Sequence, residues 1–176
     1  IAKSPASFRF VINEKEYDMT FERAFTYAHR LLKKRNYEVA GAIFEKLTAA
    51  TDRGPRALIM LAICRAGMSD YKGSHDVLDR AFPGEDSVMA AELQDIVVMS
   101  RMGFKKDAMQ DLVRLVNEHK ELPTLCLWLG DMLEAKQELA KARQCWQLAI
   151  KRDRPKGAIA QAAKKQLLKY SKQRQG

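Results

Sequence analysis

Long apolar runs, paired cysteines and phosphate-binding glycine loops are all missing from this chain, and each absence closes off a class of function. The longest uninterrupted apolar stretch, ALIMLAIC at residues 57–64, sits between Arg56 and Arg65. A helix that crosses a bilayer needs about 20 such residues, so no membrane span is expected. Cys64, Cys126 and Cys145 are odd in number and lack Cys-x-x-Cys spacing, which disfavours a disulfide framework and suits reduced thiols in a cytoplasmic compartment. His29, His75 and His119 lie far apart with no His-x-x-x-His pattern, so no metal ligands are expected. GDMLEAK, at residues 130–136, lacks both the strand and the glycines of a phosphate loop. No Cys and His share a local context that would make a nucleophile and its base. The expectation is therefore no catalytic residues, no cofactor and no enzyme activity.

What is present is enough apolar material for a core: 47% of 176 residues are hydrophobic, which fits one domain or one short repeat array. The first residue is Ile1 rather than Met, which is compatible with a leader or a further domain upstream. Charge is concentrated at the other end. From Lys151 to Gly176 there are nine Lys or Arg and one acid, Asp153, so this stretch carries +8 of the formal +9.

The chain also repeats itself. Stepping 34 residues from Ala40 reaches Ser74, Ala108 and Ala142, all small; the same step from Phe44 reaches Leu78, Leu112 and Trp146, all bulky. From Ala28 it reaches Ala62, Ile96 and Gly130. Within a period the apolar residues fall three and four apart, as in Ala24, Tyr27, Ala28 and Leu31 and then Ala40, Phe44 and Leu47, which predicts two helices per period. The break between them falls at KKRNY, GMSDY, RMGFK and AKQEL, three of which contain Asn, Gly or Ser. A small side chain is needed where helix axes approach, and a bulky one fills the space beside it.

These residues resemble the tetratricopeptide repeat, a 34-residue helical pair. The fourth repeat matches best, through Leu129, Gly130, Ala142, Trp146 and Ala149; the first matches through Ala28, Tyr37, Ala40 and Phe44, and the second through Leu61, Ala62, Tyr71 and Ala81. The third departs, with Glu92 and Asp95 at apolar positions, unless its first helix turns by one residue to bring Leu93, Ile96 and Val97 inward. The resemblance implies an all-α, right-handed solenoid of four hairpins over residues 21–154, divided approximately at 21–54, 55–88, 89–122 and 123–156. Residues 1–20 precede it as an extended arm or small hairpin, and a basic helix over 157–176 caps it.

The same resemblance implies a noncatalytic scaffold or chaperone-like adaptor whose first helices line a concave groove. The groove residues would be Phe25, His29, Ile59, Met60, Ile63, Leu93, Val97, Leu127, Trp128 and Asp131, a mostly apolar set suited to a helix or extended peptide of another protein. Residues 37–52 also resemble the short arrays of chaperones for secreted translocator proteins. The competing expectation is nucleic-acid or acidic-partner binding through a basic patch of Lys164, Lys165, Lys169, Lys172 and Arg174. Only Tyr170 offers a stacking ring there, which favours the cap reading. The sequence carries no signal for an oligomeric state.

Overall fold

A computed structural model describes residues 7–50 and 53–171. The fold is predominantly helical and groups into two units, one running to Gly103 and the other from Phe104. The first contains strands β1 (Phe8–Ile12) and β2 (Lys15–Met19) and helices α1 (Phe21–Lys33), α2 (Tyr37–Leu47), α3 (Gly54–Gly67), α4 (Tyr71–Ala81) and α5 (Ser87–Met102). The second contains α6 (Lys105–Glu118), α7 (Pro123–Ala135), α8 (Leu139–Arg152) and α9 (Ala158–Ser171). Among the described residues, no helix is long and apolar enough to cross a membrane.

The N-terminal segment is a hairpin. β1 and β2 pair antiparallel, with Phe8 opposite Met19, Phe10 opposite Tyr17 and Ile12 opposite Lys15. Asn13 and Glu14 make the two-residue turn with φ of 50° and 64°, the left-handed pair that a tight hairpin requires and that Asn tolerates better than Glu. Alternation sends Phe8, Phe10 and Met19 to a buried face, while Arg9 and Asp18 form an exposed cross-strand ion pair of 3.6 Å. β1 packs on α2 and β2 on α1.

The helix pairs follow one local plan. The second helices begin at Tyr37, Tyr71, Lys105 and Leu139, successive steps of 34 residues. Just ahead of each stands a residue in the left-handed region, Arg35, Ser69, Gly103 and Gln137 (φ 61°, 60°, 89° and 63°). At three of these turns the next amide reaches back to close the preceding helix: Asn36 N–H donates to Leu31 C=O, Asp70 to Arg65 and Glu138 to Leu133, each at 2.9 Å. This is the bond pattern that satisfies the last carbonyls of a helix. Starts of the first helices are marked by side-chain caps or proline: Thr20 Oγ1 accepts from Arg23 N–H, Asp86 Oδ1 accepts from Met89 N–H, and Pro123 opens α7.

Three of the sets linked by the 34-residue step are buried throughout: Ala28, Ala62, Ile96 and Gly130; Ala40, Ser74, Ala108 and Ala142; Phe44, Leu78, Leu112 and Trp146. The reason for small residues is visible at Gly130, where a Cβ would stand 2.5 Å from Trp146 Nε1. Ser74 sits at a small position without an orphaned hydroxyl, because its Oγ donates to the Ala62 carbonyl at 2.9 Å. In α5, Leu93, Ile96 and Val97 are buried and Asp95 is exposed, so the helix is turned as its apolar residues require. α5 packs on α3 and α4 within the first unit, and α6 packs on α7 within the second. The two helices expected to form the third hairpin thus belong to different units.

Candidate functional site

The residues expected to line an apolar groove are mostly core. Phe25, Ile59, Ile63, Leu93, Val97, Leu127 and Trp128 are buried, and His29, Met60 and Asp131 are half-buried. The cause is the number of neighbours each helix has. α3 packs against α1, α2, α4 and α5, and α7 against α6, α8 and α9, so both bury side chains around most of their circumference, including an unbroken run from Thr124 to Gly130. Phe25 is fixed between Phe21, stacked at 5.7 Å, and Phe44, edge-on at 5.3 Å, with the Arg56 guanidinium 4.3 Å above its ring. Asp131 accepts hydrogen bonds from Trp146 Nε1 at 3.2 Å and Gln166 Nε2 at 3.0 Å. Within each unit, most of these side chains are therefore packed interior.

The basic helix is docked. Tyr170 stacks on Trp146 at 6.0 Å and 12°, and its hydroxyl donates to Glu134, which also receives Lys169 Nζ at 2.9 Å. The one ring that could have stacked on a base is thus committed to the core of its own unit. Lys164 and Lys165 are exposed; Lys172 and Arg174 lie outside the described residues.

The thiols are poor nucleophiles. Burial pushes Cys64 up to about 12 against the pull of Arg65, and pushes Cys145 up to about 11. Burial raises Cys126 too, outweighing the Arg152 guanidinium, which donates to Cys126 Sγ at 3.3 Å. Among the described residues, one group of three metal-capable side chains comes together, His75, Asp76 and Asp79, all exposed on α4. Its His75 Nδ1 to Asp79 Oδ2 distance of 3.4 Å is an ordinary pair one helical turn apart.

A different surface is concave. Between the hairpin and α1 lies a cleft of about 570 Å³, lined by Ile12, Tyr17, Met19, Glu22, Arg23, Thr26, Tyr27 and Arg30, within the size range of ligand sites. Both walls follow from local patterning. Phe21, Ala24, Phe25 and Ala28 face the core, so Arg23, Thr26, Tyr27 and Arg30, spaced three and four apart, form a stripe on another side of α1. Across from it, strand pairing puts Ile12, Tyr17 and Met19 on one face of the hairpin. Met19 is buried and Ile12 half-buried, whereas Tyr17 is 42% exposed.

The electrostatics of the cleft are one-sided. Glu22 is its one acid, and Glu22 Oε1 already faces Arg53 Nη1 at 3.6 Å and Arg56 Nη1 at 3.5 Å. Arg56 is only 3% exposed, so this carboxylate offsets a buried cation rather than the cleft arginines. Among the described residues, neither the Arg23 nor the Arg30 side chain has a carboxylate partner. The cleft thus combines an apolar floor with two unpaired guanidiniums, two phenols and the Thr26 hydroxyl. It offers donors and area, not a nucleophile with a base. The sequence period puts Tyr27 in the packing stripe and gives Arg23, Thr26 and Arg30 the look of a solvated face, since nothing in a charged helix face shows that a hairpin will fold beside it. Compared with known proteins, the chain matches no family model, no curated protein and no solved structure.

Proposed function

We propose that the chain is a noncatalytic interaction scaffold, a tetratricopeptide-like series of helical pairs that holds a segment of another protein. The observation that carries this reading is the agreement of local turn geometry and core burial at one period. Second-helix starts, left-handed turn residues and buried small and bulky positions all recur every 34 residues. Modules of this kind bury the apolar face of one pair against the next and use the remaining surface for binding. The burial of most inner apolar residues moves the binding surface to half-exposed positions, such as those lining the α1 cleft. The docking of α9 supports its role as a cap and weighs against base stacking as its function.

Selection from an unbiased peptide-display library, with the nuclease-treated full chain as bait, tests the reading. Recurrent enrichment of a sequence motif is expected. Failure to enrich any peptide, together with salt-sensitive retention on heparin that disappears on replacing Lys164 and Lys165, would overturn it in favour of polyanion binding.

A further inference from the structure

We infer that the cleft between β2 and α1 binds an extended acidic peptide, two carboxylates of which pair with Arg23 and Arg30. The inference rests on the interaction-scaffold reading and assigns it a site and a partner chemistry. Three observations carry it together. First, the arginines are the cleft's uncompensated charges, since Glu22 is engaged by Arg53 and Arg56. Guanidinium pairs with carboxylate in a planar, two-bond geometry, so the complementary ligand group is anionic. Second, Arg23 and Arg30 stand seven residues apart on α1, an axial separation of about 10 Å. Acidic side chains three apart on a polyproline-type segment share a face and are separated by about 9 Å. The match selects an extended chain over a single small anion. Third, Ile12 and Met19 add apolar lining to the same cleft, and Tyr17 and Tyr27 supply rings with hydroxyl tips. A peptide with a small apolar side chain between its acids fills that floor, whereas a polyanion lacking apolar groups leaves it unused.

Fluorescence anisotropy with two sets of capped, labelled ten-residue peptides tests the proposal on the full chain. One set fixes two Glu three residues apart and varies the other positions; the second carries Gln at those two places. The Glu set is expected to bind and to weaken with added salt, and the Gln set to bind about tenfold less tightly or worse. Arg23→Ala and Arg30→Ala should each weaken the Glu peptides by about tenfold, with helicity unchanged because both side chains are exposed. Tyr17→Ala should weaken both sets alike, through lost area. Equal binding of the two sets overturns the inference, as does wild-type affinity in the double arginine variant. So does displacement of the Glu peptides by inorganic phosphate or a short oligonucleotide at lower concentration than by unlabelled Glu peptide. A chain that selects peptides from the display library independently of Arg23 and Arg30 would sink this site while leaving the scaffold reading standing; a chain that selects none would sink both.

Discussion

In the second unit, the polar groups that α9 brings against α7 are used up inside the fold. Gln166 is buried and donates to Asp131, Lys169 and Tyr170 converge on Glu134, and the Tyr170 ring lies flat on Trp146. In the first unit the hairpin also closes a core: Phe8 meets Phe21 edge-on at 6.4 Å, and Lys46 lies 5.5 Å over Phe10 while donating to the Arg9 carbonyl. Yet this cap leaves Arg23, Arg30 and Tyr17 around an open cleft. The difference is one of saturation: the polar groups of one terminal element are satisfied inside its unit, whereas the other walls off a helix face and leaves two guanidiniums without carboxylate partners among the described residues.

The largest effect expected is in the packing on which both units depend. Phe44→Ala in the first and Trp146→Ala in the second should each lower stability by about 3–5 kcal/mol in denaturant titrations. The consequences should differ, because Trp146 also holds Asp131 and Tyr170 whereas Phe44 touches a closed aromatic cluster. Amide exchange should accelerate throughout α9 in the Trp146 variant. Protection of α9 at wild-type levels would mean that the cap does not lean on this ring.

Gly130→Val sharpens the same point from the opposite direction. The added side chain meets a rigid indole, and the overpacking should cost about 1–3 kcal/mol. An unchanged thermal midpoint would show that α7 and α8 can separate freely.

Alkali probes the first unit through Cys64. The folded state keeps a proton up to about 12 that the unfolded chain releases above its ordinary value of 9.0. Stability is therefore intact below pH 9 and falls above it by about 1.4 kcal/mol per pH unit for this group. Denaturant midpoints measured at pH 8 and pH 10 should show the decline, and Cys64→Ala should remove a corresponding part of it. The same slope in the variant would assign the decline to other groups.

The smallest expected effects concern the turns. Gly103→Ala should destabilise and Gln137→Gly should stabilise, each by about 1 kcal/mol, because both positions have positive φ and only glycine adopts it freely. Like signs for the two changes would contradict the shared turn geometry.

Much of the helical framework was legible in the sequence, for a physical reason. A small residue at helix approach and a bulky one beside it are demanded by contact distances, so Ala40, Phe44, Gly130 and Trp146 announce packing wherever they recur. The turn conformation was harder to read: Arg35, Ser69 and Gln137 adopt the left-handed region without being glycine, and only Gly103 gives the usual signal. The site was the least legible. Apolar residues such as Ile59, Leu93 and Leu127 look the same in a groove and in a core, and which they occupy depends on how many helices surround them. Arg23 and Arg30 look like a solvated helix face until the pairing of Phe10 with Tyr17 and Phe8 with Met19 sets a wall beside them.

The contrast between the two caps is tested most directly by nuclear magnetic resonance titration of the isotope-labelled full chain with the Glu-containing peptides. The account predicts concentration-dependent shifts for Tyr17, Arg23, Thr26, Tyr27 and Arg30, with α9 unmoved. Shifts centred on Lys164, Lys165 and Lys169, with α1 silent, would contradict it and make the basic helix the binding element.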